Sequence, residues 1–166
     1  LQSEAAVSCD GRRVMTETHH HQPLCIVIAA LGGEGGGVLM NWIVDAGLQT
    51  GLSVQATSVP GVAQRTGSTS YYIEMSRTPL PATSAAPVFA LVPMPARVDC
   101  VIASELVEAA RMMARGFVSP KRTTLITSSS RVLTTAEKIP MGDGRFESIK
   151  AETAAKTLAQ RLILLD

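Results

Sequence analysis

An α/β sandwich is the fold class this sequence predicts, and three observations carry it. Residues 24–31 (LCIVIAAL) are a short unbroken apolar run, the pattern of a strand buried on both faces. A glycine-rich turn, GGEGGG over residues 32–37, then gives way to a stripe of helical period. Short apolar strands continue to alternate with helical stripes, an order that calls for a sheet covered by helices.

The elements follow in order. Val38, Leu39, Trp42, Ile43 and Ala46 form the first helical stripe, with Gly47 and Gly51 as stop signals. Residues 53–58 read as a second strand that completes a β-α-β unit of right-handed crossover. A loop rich in turn residues follows, and residues 69–75 are then a strand with Tyr71, Ile73 and Met75 on one face. The proline-containing stretch 77–87 reads as an exposed connection.

Residues 88–92 and 100–103 are expected to be short buried strands, with Asp99 leading into the second. A helix begins at Ser104 as N-cap, with Glu105 and Glu108 in its first turns. Its predicted stripe is Leu106, Ala110, Met113, Ala114 and Phe117, closed by Gly116 and Pro120. Residues 123–127 are a strand, 128–130 a serine turn and 138–145 a loop. Ala151, Ala154, Ala155, Leu158, Leu162 and Leu165 predict a last helix running to Asp166. Its stripe is unfinished there, which implies a fragment of something longer.

The chain has 166 residues, one domain at about 150 residues each and enough for a sizeable core. Residues 1–22 read as a flexible polar lead-in, and residues 23–166 as the folded domain. Net charge is +1, which gives no electrostatic case for nucleic acid or acidic membranes. No apolar run approaches the roughly 18 residues of a membrane span. Cys9, Cys25 and Cys100 are widely spaced and lack a CxxC pair. That argues for a reducing cytoplasm, and against a disulfide framework or a metal or iron–sulfur site in this chain.

Two segments hold the candidate chemistry. The turn Gly32, Gly33, Glu34, Gly35 lies where a phosphate cradle would sit. It lacks the Gly-Lys-Ser/Thr end of a P-loop and the third glycine of a dinucleotide fingerprint. Glu34 also brings a negative charge to that position. The other reading is that the glycines only permit a tight turn and close packing. The second segment, residues 58–72, holds Gly61, Gln64, Arg65, Thr66 and Gly67, a donor-rich trio between glycines. It suits a carboxylate, a phosphate or a partner's backbone, and equally a surface arginine with a local acid. All three histidines, His19, His20 and His21, lie in the lead-in, so the folded part holds no Ser/His or Cys/His arrangement. No catalytic residue is assigned in this chain.

The blocks GGEGGGVLMNWIVDAG, TSVPGVAQRTGSTSYYIE, PVFALVP, VDCVIASELVEAARMMARGFVSPKRTTLITSSSRV and AEKIPMGDGR resemble one family. They are similar to the long version of the indolepyruvate oxidoreductase beta subunit, a relative of the gamma subunits of 2-oxoacid:ferredoxin oxidoreductases. The resemblance runs from about Leu24 to the end, and PGVAQRTG is its most specific part.

It implies a Rossmann-like three-layer sandwich with a largely parallel or mixed sheet. It further implies thiamine-dependent oxidative decarboxylation of aryl-pyruvates, with iron–sulfur clusters taking electrons and coenzyme A accepting the acyl group. Thiamine pyrophosphate, clusters and coenzyme A are expected in the whole enzyme and none is expected to bind tightly to this chain. The implied partners are a thiamine- and cluster-bearing alpha subunit or domain, and ferredoxin through the complex; a homo-oligomer is compatible. By the resemblance, Gly32, Gly33, Glu34 and Gly35 and Gly61, Gln64, Arg65, Thr66 and Gly67 lie towards the shared interface. Many gamma-type members carry Gln in place of Glu34 and Gly in place of Thr66, so Glu34 would pair with Arg65 or a partner's cation. The alternatives are a nucleotide- or coenzyme A-binding domain and a non-enzymatic interaction module.

Overall fold

The computed structural model describes residues 22–59, 67–81, 87–130 and 147–166. The lead-in up to residue 21, the trio Gln64, Arg65 and Thr66 with Gly61, and the expected 138–145 loop lie outside them. Six strands form one mixed sheet: β1 (Leu24–Leu31), β2 (Val54–Val59), β3 (Ser68–Met75), β4 (Cys100–Ala103), β5 (Thr124–Ser128) and β6 (Arg161–Leu165). Their order across the sheet is β2-β3-β1-β4-β5-β6. Strand β1 runs parallel to β4, β4 to β5 and β5 to β6, while β3 is antiparallel to both β1 and β2.

Alternation along the strands sends side chains to two faces, and each face has its own core. Ile26, Ile28, Ile73 and Met75 face α1 (Gly36–Gln49), whose Leu39, Met40, Ile43 and Val44 pack on them. Val27, Ala29, Val101 and Leu125 face the other way, against Ala109 and Met112 of α2 (Leu106–Ala114) and Ala155 of α3 (Ser148–Leu158). The molecule is therefore a three-layer α/β sandwich. Among the described residues no helix is long and apolar enough to cross a membrane.

Several expectations need correction. Strands β1 and β2 are parallel, as a β-α-β unit requires, but β3 is inserted between them. Helix α1 is rotated from the predicted stripe, so Trp42 is 68% exposed and Val38 53%. Met40, Val44 and Gly47 take the inner face, and Gly47 packs on Val54 within the helix instead of ending it. In α2, Ala109 and Met112 are buried in place of the expected Ala110 and Ala114.

Residues 88–92 form no strand. Pro87 restricts the backbone before them and Pro93 lacks an amide to continue a ladder. Residues 90–91 bond to side chains of β2 and β3 instead, and Val88 is almost fully exposed. The last helix stops at Leu158, and Leu162 and Leu165 belong to β6. There, Arg161 to Leu165 complete the ladder with β5, and pairing of an aliphatic run outweighs the coincidental helical spacing.

Candidate functional site

The glycine turn and Gly67, which leads into β3, meet at one end of the sheet. The chain leaves β1 for α1 on one face and leaves β4 for α2 on the other. Between the carboxyl ends of these adjacent parallel strands lies the point where a doubly wound sheet changes direction, the usual crevice of such folds. The turn Gly32, Gly33, Glu34, Gly35 and the Ser104–Glu105 turn after β4 flank it. The amide of Gly32 donates to the carbonyl of Gly67 at 3.0 Å, which fixes the end of the long loop beside the turn.

Glu34 is the centre of this arrangement. Its carboxylate folds back to accept the Leu31 amide at 2.9 Å and the hydroxyl of Ser104. Ser104, expected as an N-cap, is thereby bound to Glu34; the residue before α2 is Glu105, and it makes no side-chain cap. Of the two partners expected for Glu34, Arg65 or a partner's cation, Arg65 lies outside the described residues.

The glycines divide by function. Gly33 and Gly35 hold φ of +95° and +78°, values that favour glycine, and a Cβ on either would meet open space. Gly36 is different: a Cβ there would stand 2.7 Å from Tyr71 Cε2 and 2.9 Å from Ala30 Cβ. Turn geometry and helix–sheet approach account for these positions. The donor set is a poor fit for a phosphate, since the Glu34 carboxylate takes the Leu31 amide and adds negative charge to the turn.

Cys25 and Cys100 do not converge on a shared ligand position. The Ile26–Cys100 register puts Cys25 and Cys100 on opposite faces of the sheet, and among the described residues no three His, Cys, Asp or Glu converge on a metal position. Burial raises both thiol pKa values.

Beside the crevice, α2 is tied to β3 by charge. Glu108, buried, accepts Ser68 Oγ at 2.6 Å and forms an ion pair with Arg111, which also donates to Ser70 Oγ at 3.0 Å. The i,i+3 spacing brings Glu108 and Arg111 together on α2, but the reach to β3 depends on packing.

A second polar group escaped sequence reasoning. Tyr72 and Glu74, i and i+2 on β3, share the inner face with Cys25. Tyr72 donates to Glu74 Oε1 at 2.5 Å and the Cys25 thiol approaches the same oxygen at 3.6 Å. Burial, followed by the bond to Glu74, pushes the Tyr72 phenol far above its ordinary pKa. Glu74 Oε2 accepts the Ala90 amide at 2.5 Å. A carboxylate within an apolar strand was the available signal.

Comparison with known proteins places the chain. Residues 25–164 match the family described as pyruvate ferredoxin/flavodoxin oxidoreductase. No curated protein matches the sequence. Among solved structures, it is similar to 2-oxoglutarate:ferredoxin oxidoreductase from Magnetococcus marinus, determined with 2-oxoglutarate, coenzyme A and succinyl-CoA bound. The identity is 17% and the TM-score 0.53, over 73% of this chain and 19% of that one. It is also similar to the pyruvate oxidoreductase subunit PORC of Thermotoga maritima, at 13% identity and TM-score 0.52, over 87% of this chain and 62% of that one. Both likenesses are of fold, and the chain spans less than two thirds of either relative. With a family match over most of its length on this three-layer sandwich, the chain belongs to the pyruvate ferredoxin/flavodoxin oxidoreductase family.

Proposed function

We propose that this chain is the gamma-type domain of an indolepyruvate-class ferredoxin oxidoreductase, serving assembly and the border of an active site carried by a partner. The observation that carries the reading is the convergence at the carboxyl ends of β1 and β4. There Glu34 joins Ser104, and Gly32 holds Gly67, the end of the loop containing Gln64 and Arg65. In the whole enzyme thiamine pyrophosphate, iron–sulfur clusters and coenzyme A supply the decarboxylation, electron removal and acyl acceptance. This chain's part is to present a shaped, polar edge to the subunit that holds them.

Glu34 fixes the turn by binding Leu31 and Ser104 and keeps the edge acidic. Arg65, on the adjoining loop, is assigned the contact with the partner or its substrate carboxylate. The competing nucleotide cradle has the Glu34 carboxylate against it. Co-expression with a thiamine- and cluster-bearing partner, followed by turnover assays with indolepyruvate, pyruvate and 2-oxoglutarate, tests the reading. The wild-type complex is expected to prefer indolepyruvate, and Arg65→Ala to lower turnover about tenfold or more while the chain stays folded. Unchanged assembly and turnover in Arg65→Ala would return the loop to a mere connection.

A further inference from the structure

On the face of the sheet opposite α1, Gln55 and Thr57 of β2 lie beside Glu74 and Tyr72 of β3. A strap formed by residues 90–93 crosses this face, held by side chains from below. Glu74 accepts the Ala90 amide at 2.5 Å, Gln55 donates to the Ala90 carbonyl at 3.0 Å, and Thr57 to the Leu91 carbonyl at 2.8 Å. Beneath and beside the strap is a cavity of about 180 Å³. Val27, Val59, Val92 and Phe117 give it apolar walls, and among the described residues Arg115 is its one charged lining residue.

The geometry points to a binding site for a small carboxylate with an aromatic or branched apolar body. A cavity of roughly 150 Å³ with aliphatic and aromatic walls takes a benzene ring, so this volume suits one ring and a short side arm. The charge at the wall selects the anion. Arg111, one turn earlier on α2, is neutralised by Glu108, whereas among the described residues Arg115 makes no ion pair and no acid lines the cavity. A planar guanidinium beside an apolar wall suits a carboxylate through two parallel hydrogen bonds. Three bonds on two consecutive residues hold the roof in place, so the cavity is shaped before a ligand arrives. The cavity borders the 58–72 segment through Val59, Ser70 and Tyr71 but uses neither Glu34 nor Ser104, so the inference does not rest on the proposed function.

The test is NMR titration of the isotope-labelled chain with phenylacetate, following Val27, Ala90 and Phe117. Saturable shifts with Kd on the order of 1 mM or tighter are expected. Phenylacetamide and the Arg115→Ala variant should each weaken binding about tenfold, the loss of a charge-assisted pair. Val92→Trp, which fills the cavity from the exposed strap, should abolish it. No shift up to about 10 mM, a value that leaves less than about 3 kcal/mol of binding, would overturn the proposal. So would equal binding of phenylacetamide, undiminished binding by Arg115→Ala, or acetate binding as well as phenylacetate. Tighter binding of phenyl phosphate would overturn the carboxylate assignment.

Discussion

Gly36 and Gly33 stand three residues apart in one turn, yet they are glycines for different reasons. At Gly36 the α1 backbone lies against Tyr71 and Ala30, and a methyl group would intrude on both. Alanine is a better helix former by about 1 kcal/mol, but overpacking costs about 1–3 kcal/mol and outweighs it. Gly36→Ala is therefore expected to lower stability by about 1–2 kcal/mol, measured by urea unfolding. Adding Tyr71→Leu should recover part of that loss by making room. Gly33→Ala should cost about 1–2 kcal/mol through its positive φ alone, and Tyr71→Leu should not relieve it. Equal coupling of both glycines to Tyr71 would contradict the assignment. The glycine cluster was legible in the sequence; its division between conformation and contact was not, because that depends on which face of α1 meets β3.

The strap at residues 90–93 replaces an element the sequence led one to expect. Its apolar run has the composition of a strand, but flanking prolines and the side chains of Gln55, Thr57 and Glu74 direct its backbone elsewhere. Glu74→Leu would leave the Ala90 amide without its acceptor and the buried Tyr72 hydroxyl with only the weak acceptor Cys25 Sγ. At about 1–3 kcal/mol for each such group, a loss of about 2–4 kcal/mol is expected. Glu74→Gln, which keeps an acceptor, should lose less. Hydrogen exchange separates fastening from general stability: the Ala90 amide should exchange much faster in Glu74→Leu than amides of β1 do. Unchanged protection at Ala90 would remove Glu74 from that role. The same dependence on context decided the last element, where Leu158, Leu162 and Leu165 fit a helical period as well as a strand. Only the presence of β5 to pair with resolved it. Strand β1 and the start of α1 were readable because an unbroken apolar run followed by glycines has few other solutions.

For the molecule as a whole, Asp99 connects distant segments at the opposite end of the sheet from the crevice. It accepts the Cys25 amide at 2.9 Å and pairs with Arg77 and Arg122 at 2.9 and 3.0 Å. Burial pushes its carboxyl pKa up, but the hydrogen bonds of Arg122 and Cys25 and the charges of Arg122 and Arg77 outweigh that, so it lies below its ordinary value. A depressed folded-state pKa contributes stability that is present above the unfolded value of about 4 and lost as pH falls through the folded one. Unfolding free energy measured between pH 2 and 7 should thus fall in acid, and Asp99→Asn should flatten that fall while lowering stability at neutral pH. An acid limb of the same slope in the variant would exclude Asp99 as a source. The sandwich, its glycine turn and the broad ferredoxin oxidoreductase family were readable from the chain. The meeting of Glu34 with Ser104 was not, since 70 residues separate them and only the strand order makes them neighbours.

That strand order also governs when the protein can fold. Strand β1 precedes the other described strands, yet its two neighbours are β3 and β4, and its amide at Cys25 waits for a carboxylate 74 residues later. Every non-local pairing of this kind requires loop closure before contact is rewarded, which places the domain among slower-folding topologies. During synthesis, β1 cannot be covered on both edges until Ala103 has emerged. Until then its most apolar strand presents an open edge, a template for pairing with another chain.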